Sequence, residues 1–179
     1  MPTPETHTHW YVLTGRPCSG ITTAVNALGR QGYRTVGEAA RSIIDAGVAA
    51  GKSVDEIRSD DAGFQRAIVR HKLESEAALP RDEVVFFDRA IPDNLIYHDI
   101  AGLDPGEVIP HCRPTRYRKV FFMEPLPYQA DYARTESELI LGRLERELPQ
   151  AYLGLGYEVV SIPALRIEER VARILDEIG

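Results

Sequence analysis

The chain has 179 residues, 44% of them hydrophobic and 27% charged, enough for one globular domain with its own core. A net charge of −6 and an isoelectric point near 5.4 argue against a general affinity for nucleic acid or anionic membranes. No apolar run approaches membrane-spanning length, and the start lacks the basic-then-apolar outline of a leader, so a cytoplasmic location is expected. Two cysteines, Cys18 and Cys112, stand far apart in no metal-ligand spacing, which predicts a reduced compartment without structural zinc. Basic charge rests on 18 arginines and only three lysines, Lys52, Lys72 and Lys119.

Residues 1–9 read as a loose tail, because no periodic apolar pattern begins before Trp10. "WYVLTG" is a short buried strand ending at Gly15, and helical spacing follows through Val25 and Leu28 to a stop at Gly32. "YRTVG" is a second strand. A helix over 38–50 turns Ile43, Ile44 and Val48 inward, and Ser53 with Glu56 carries a capping signature. A longer helix over 61–79 places Phe64, Ile68 and Leu73 near helical spacing before Pro80 ends it.

"EVVFFDR" is the strongest strand, a continuous apolar run suited to the centre of a parallel sheet. Pro92 opens the helix "IPDNLIYHDIAG", and "LDPGEVIPHCRPTR" reads as a proline-rich loop. "KVFFME" is the next buried strand, followed by an irregular excursion and a charged helix over "SELILGRLERELPQAYLGLG". "YEVVSIP" is the last strand and "RIEERVARILDEI" a closing amphipathic helix. Five strands alternating with helices predict a single α/β domain over 10–179: a three-layer fold, its five-stranded parallel sheet flanked by helices on both faces.

The first strand–turn–helix carries the outline of a phosphate-binding loop. Gly15 permits the turn, Gly20 lets backbone N–H groups approach an anion, and the helix start adds uncapped amides and a positive dipole end. Residues Gly15, Arg16, Pro17, Cys18, Ser19, Gly20, Ile21, Thr22 and Thr23 form this candidate nucleotide cradle. Thr22 falls where such loops hold Mg²⁺, and Thr23 is placed to contact a phosphate. Position 21, where G-x-x-x-x-G-K-[ST] demands lysine, is isoleucine. The loop can form with it, but a cation on the β/γ-phosphates is gone. A loss of that kind costs about a hundred- to thousandfold in rate. Arg16 is either a substitute cation or a surface arginine, and Cys18 serves as a small side chain.

Asp88, at the end of "FFDR", is expected at the carboxyl edge of the sheet, beside the loop, holding Mg²⁺ or its water shell with Thr22. Arg89 suits bidentate contact with a phosphoryl group; the competing reading is a surface Asp–Arg pair. Glu38, after the second strand, either accepts a substrate hydroxyl or its proton, or only complements a helix dipole; Arg41 follows one turn later. The segment about 125–148 reads as a lid carrying Arg134, Arg143 and Arg146, with Arg146 better read as part of an ion-paired helix. His98 and His111 belong to no ligand cluster.

Together these pieces resemble the small AAA-type P-loop proteins related to the NadR ribosylnicotinamide-kinase domain. The likeness rests on "VLTGRPCSGITT", "YRTVGEAAR", "VVFFDRAIPD", "YRKVFFMEPLPYQADYARTE" and "YLGLGYEVVSIP…IEERVARIL", and spans nearly the whole chain after residue 10. It implies a nucleoside-kinase-like P-loop fold that binds ATP or GTP with Mg²⁺. By position it implies Glu38 and Arg41 on the substrate side, with Asp88 and Arg89 on the phosphoryl-transfer side and the Arg134 region in a lid; apart from the resemblance, Arg143 is a further substrate-binding candidate. That family usually carries lysine where this chain has Ile21.

Three functions follow from the sequence. One is Mg²⁺- and NTP-dependent phosphoryl transfer to a small hydroxylated metabolite, or NTP hydrolysis, with altered efficiency. Another is a nucleotide- or phosphate-binding regulatory module with little turnover. The last is a pocket turned to a different anion read by Arg16.

Overall fold

A computed structural model of the chain describes residues 6–127 and 136–179. Five parallel strands make the central sheet: β2 (Trp10–Thr14), β3 (Arg34–Val36), β4 (Val85–Asp88), β6 (Lys119–Met123) and β7 (Val159–Ile162), in the spatial order β3-β4-β2-β6-β7. The alternation of strands with helices thus yields the predicted five-stranded parallel sheet. Its register pairs Trp10 with Val85 and Tyr11 with Lys119, so β2 lies between β4 and β6. The chain leaves β2 in one direction toward β3 and later returns to its other side through β6. The carboxyl end of β2 is therefore the switch point at which open α/β sheets form a crevice.

Side chains alternate across each strand, and the two sets build two cores. On one face Tyr11, Leu13, Phe86, Phe121 and Met123 pack with Ile21, Val25 and Leu28 of α1 (Ile21–Arg30) and Val171 and Ile174 of α8 (Ile167–Ile178). On the other, Trp10, Val12, Val85, Phe87 and Val120 pack with Tyr152 of α7 (Glu138–Gly154) and with Tyr117 and Tyr157. A third cluster, away from the sheet, joins Ala39 and Ile44 of α2 (Ala39–Ala49) to Phe64 and Ile68 of α4 (Asp61–Ala77), with Ile57 of α3 (Val54–Arg58) against it. Ser53 and Glu56 form a complete capping box at the start of α3.

Three sequence expectations change. Residues 6–9 are not loose: β1 (Thr6–His7) pairs in parallel with β5 (Thr115–Arg116), and Thr8 is buried with its hydroxyl donated to the Arg116 carbonyl. Backbone pairing recruits this polar pair where hydrophobic patterning gives no signal. The proline-rich stretch contains a 3₁₀ turn at Pro105–Glu107 and a short α6 (Ile109–Cys112), and Val108 and Cys112 pack against Val69 and Ile91. Val48, expected inward on α2, is 46% exposed, while the third cluster takes Ala39 and Ile44 and brings Gly47 of the same helix against Ile57.

Among the described residues no helix is long and apolar enough to cross a membrane.

Candidate nucleotide and acceptor site

The loop between β2 and α1 is shaped by two steric demands. At Gly15 a Cβ would meet the Met123 carbonyl oxygen at 2.8 Å, and Gly20 adopts φ +75°, in the left-handed region that favours glycine. Cys18 also has positive φ, at 63°, without glycine's freedom. Gly20 caps α1 with no side-chain hydrogen bond, and no acidic residue stands in the first turn. The helix start therefore keeps the electropositive character that draws anions. The pocket over this loop is lined by residues Cys18 to Thr23, with Arg16, Arg89 and Leu126 at its sides.

Ile21 is 4% exposed and belongs to the core formed with Val171 and Ile174, so its side chain contributes packing where a lysine would carry charge. Arg16 is not the solvent arginine that one reading allowed. Its side chain is 15% exposed, and its Nε stands 3.5 Å from Glu145. Its Nη2 makes a long 3.5 Å contact to the Leu126 carbonyl. Pro17 lines the neighbouring cleft, Ser19 is buried, and Thr23 is exposed at the pocket edge.

Thr22 and Asp88 meet as their positions predict: Oγ1 donates to Asp88 Oδ2 at 2.6 Å. Asp88 is buried, its second oxygen lacks a hydrogen-bond partner, and Arg89 Nη1 is 3.8 Å away. Burial foremost, then the charge of Glu38, pushes the Asp88 carboxyl up to about 6, against the pull of Arg89 and Thr22. A carboxylate oxygen without a hydrogen bond, beside a threonine hydroxyl, is a hard-oxygen set suited to Mg²⁺, which takes one or two carboxylates and fills its shell with water and phosphate oxygens. No cluster of three or more His, Cys, Asp or Glu side chains offers a self-sufficient metal site among the described residues.

Arg89 is no surface residue. It adopts φ 64°, is 8% exposed, and donates from Nη1 to Glu38 Oε1 at 2.7 Å and from Nη2 to the Gly15 carbonyl at 3.1 Å. Burial opposes its charge, but Tyr97, Glu38, Asp88 and Asp93 outweigh that and hold the guanidinium protonated. Glu38 caps α2 through its backbone without a side-chain cap bond, so its carboxylate is spent on Arg89 and not on its own helix.

Glu38, Arg41 and Arg89 line a second cleft, walled by Ile44, Phe64 and Ile68 and flanked by Arg58, Tyr97 and Glu136. Two polar groups there escaped the sequence reading. Gln65 is 6% exposed with Oε1 unpartnered. Lys72 donates to the Ala90 carbonyl and to Asn94 Oδ1, both at 2.7 Å, while burial pulls its ammonium below the usual lysine range. Both sit on α4, where only the apolar positions Phe64, Ile68 and Leu73 give a sequence signal, and long polar side chains are seldom buried. Asp93 was missed as well. It accepts from Thr14 Oγ1 and Tyr152 OH, each at 2.5 Å, and from the Ala90 amide at 2.9 Å, joining β2, α7 and the turn after β4.

The structure does not bring Arg143 into this cleft: it pairs with Asp99 at 2.6 Å and with Glu147, one turn on along α7, at 2.8 Å. Arg146 lies on the same helix. Arg134 and part of the 125–148 lid fall outside the described residues.

A parallel α/β sheet with this loop at the end of its middle strand defines a P-loop NTPase fold of the nucleoside-kinase type. Matching structures agree. A deoxyadenosine kinase from M. mycoides with dCMP and dCDP superposes with a TM-score of 0.68 at 11% identity, over 94% of this chain and 97% of that one. NadR in complex with NR gives a TM-score of 0.66 at 20% identity, and NadR with NAD and AMP-PNP gives 0.65 at 21%. In these two matches the chain covers 50% and 49% of NadR, respectively. A family model described as an AAA domain matches residues 10–170. The chain belongs to that family. No curated protein matches its sequence.

Proposed function

We propose that the protein is a Mg²⁺-assisted phosphotransferase that moves the terminal phosphoryl group of ATP or GTP to a hydroxyl of a small metabolite. The observation that carries this reading is the position of Arg89. It lines both the pocket over the phosphate loop and the second cleft, bonded to Gly15 on one side and Glu38 on the other. A donor phosphate over the loop and an acceptor in the cleft would then meet at one guanidinium, beside Asp88 and Thr22.

In this reading the acceptor oxygen forms a bond to the terminal phosphorus as the bond to the β-phosphate oxygen breaks, and the hydroxyl proton passes to the Glu38 carboxylate. Arg89 stabilises charge on the transferring group. Thr22 and Asp88 would hold Mg²⁺, which neutralises the polyphosphate when bound. The apolar walls of Ile44, Phe64 and Ile68 suit a flat or apolar moiety, with Gln65 offering an acceptor to an N–H or O–H on it. The names of the similar structures, a deoxyadenosine kinase and NadR bound to NR, make nucleosides the first acceptors to try.

The burial of Ile21 favours a second reading, a nucleotide-holding module with slow transfer. One experiment separates the two. Calorimetry with ATP and GTP, with and without magnesium, is paired with a transfer assay over a panel of nucleosides. Micromolar binding with acceptor-dependent product supports the phosphotransferase. Binding without product supports the module, and absence of binding to either nucleotide removes both.

A further inference from the structure

A buried side chain set against the phosphate loop comes from the last helix of the chain. Arg170, on the last helix, is 1% exposed. It donates from Nη1 to the Ser19 carbonyl at 2.5 Å, from Nη2 to the Glu124 carbonyl at 2.7 Å and from Nε to the Pro163 carbonyl at 2.8 Å. One planar fork thus ties the loop to the ends of β6 and β7. Among the described residues no carboxylate lies within ion-pair distance of it. Burial pulls its guanidinium below the usual arginine range, opposed by the charge of Glu124. A buried cation with no carboxylate in direct ion-pair contact is costly to keep, and neutral carbonyls relieve only part of that cost.

We propose that Arg170 is a positioning residue that takes over part of the missing loop lysine's work: it fixes and polarises the amide of Gly20 toward the anion and places a positive charge one backbone thickness behind the pocket. Two observations lead there. The Ser19–Gly20 peptide is trans, so with its carbonyl drawn inward onto Arg170 its N–H faces the opposite way, toward the pocket that Gly20 lines. A cation on the carbonyl also strengthens that N–H as a donor, because hydrogen bonds in a chain polarise one another. The approach is close: a Cβ on Gly20 would stand 3.2 Å from Nη1, so a side chain there would crowd the guanidinium as well as strain the positive φ. Ile21 then packs against Val171, the next residue on the same helix, so one turn of α8 supplies both the apolar filling and the charge.

This inference rests on the loop's being a polyphosphate site, and the test separates the two claims. Tripolyphosphate and pyrophosphate are titrated by calorimetry into the wild-type chain and into Arg170→Lys and Arg170→Gln, with folding checked by circular dichroism. Wild-type protein that binds neither anion removes the nucleotide reading and this inference together. Where wild type binds, Arg170→Gln is expected to lose about ten- to hundredfold in tripolyphosphate affinity, the range of one charge-assisted hydrogen bond. The loss should be smaller for pyrophosphate, and Arg170→Lys should recover part of it; a purely structural role would not track ligand charge or respond to the conservative variant. Wild-type affinity in a folded Arg170→Gln overturns the proposal while leaving the nucleotide reading intact. Equal losses for both anions, or failure of both variants to fold, also overturn it, by assigning Arg170 to the fold alone.

Discussion

Thr22 and Asp88 stand 66 positions apart in the chain and meet at 2.6 Å, where the first turn of α1 crosses the end of β4. That contact leaves one oxygen of a buried carboxylate without a hydrogen-bond partner beside a phosphate-loop pocket.

Asp88 should make nucleotide binding depend on both magnesium and pH. Its folded-state pKa, about 6, lies above the ordinary value of 3.8, so the native state holds the proton more tightly than the unfolded chain. Ionisation of Asp88 therefore works against the fold as pH rises from about 4 through 6, and the ionised form is the one a metal requires. Affinity for Mg-ATP should rise between pH 5 and 7, and calorimetry in two buffers of different ionisation enthalpy should show proton release near pH 6. Asp88→Asn should flatten this pH dependence and weaken Mg-ATP binding at least tenfold, with little effect on ATP alone. A variant that keeps the wild-type pH profile would remove Asp88 from the metal site.

Glu38 and Arg89 are expected to separate binding from transfer. With its carboxylate 2.7 Å from Arg89 Nη1 and on the acceptor side, Glu38→Gln should keep nucleotide affinity within about threefold and cut acceptor-dependent turnover by about 10² to 10⁴, the range of one general base. Steady-state kinetics over a nucleoside acceptor would show the loss in kcat. Unchanged kcat would assign Glu38 to orienting Arg89 alone.

The pattern of the sequence reached the sheet, the loop and the meeting of Thr22 with Asp88, because each depends on local signals: apolar runs, glycine spacing, and the rule that strand carboxyl ends converge. Arg170 and Lys72 were illegible for a common reason. A cation at a helical position reads as solvent-facing, and only the tertiary structure shows three carbonyls around one and Ala90 and Asn94 around the other. Thr6 and His7 failed differently, since a two-residue backbone pairing has no hydrophobic period to detect. Arg143 was drawn toward the acceptor by its place in a presumed lid, yet Asp99 and Glu147 offer it a closer, charge-matched site.

Gln65 offers a test of the acceptor cleft in which stability and function move apart. Its Oε1 is buried and unpartnered, a state that costs about 1–3 kcal/mol. Gln65→Leu removes that group at similar volume and should leave the melting temperature unchanged or raised. If an acceptor N–H or O–H is read there, the same variant raises the KM for acceptor at least tenfold while the KM for nucleotide stays put. A rise in stability with no change in acceptor KM would make Gln65 a packing residue.

Ile21→Lys brings the loop to its usual chemistry and asks what the isoleucine is for. The position is 4% exposed at the junction of core and pocket, so a lysine can leave its aliphatic stem among Leu13, Val171 and Ile174 and carry its ammonium out to the anion. Transfer, or hydrolysis if no acceptor is found, should rise about a hundred- to thousandfold, the converse of losing one preorganised donor. The altered packing should lower stability by about 1–2 kcal/mol, a drop of roughly 2–8 °C in melting temperature for a chain of this size. Single-turnover assays and thermal melts read the two effects separately. A destabilised variant with no gain in rate would mean that the lysine's place is already served, and the same substitution made on Arg170→Gln would then show whether Arg170 serves it. A gain confined to that double variant identifies the two cations as alternatives; no gain in either background leaves the loop a binding cradle without phosphoryl transfer.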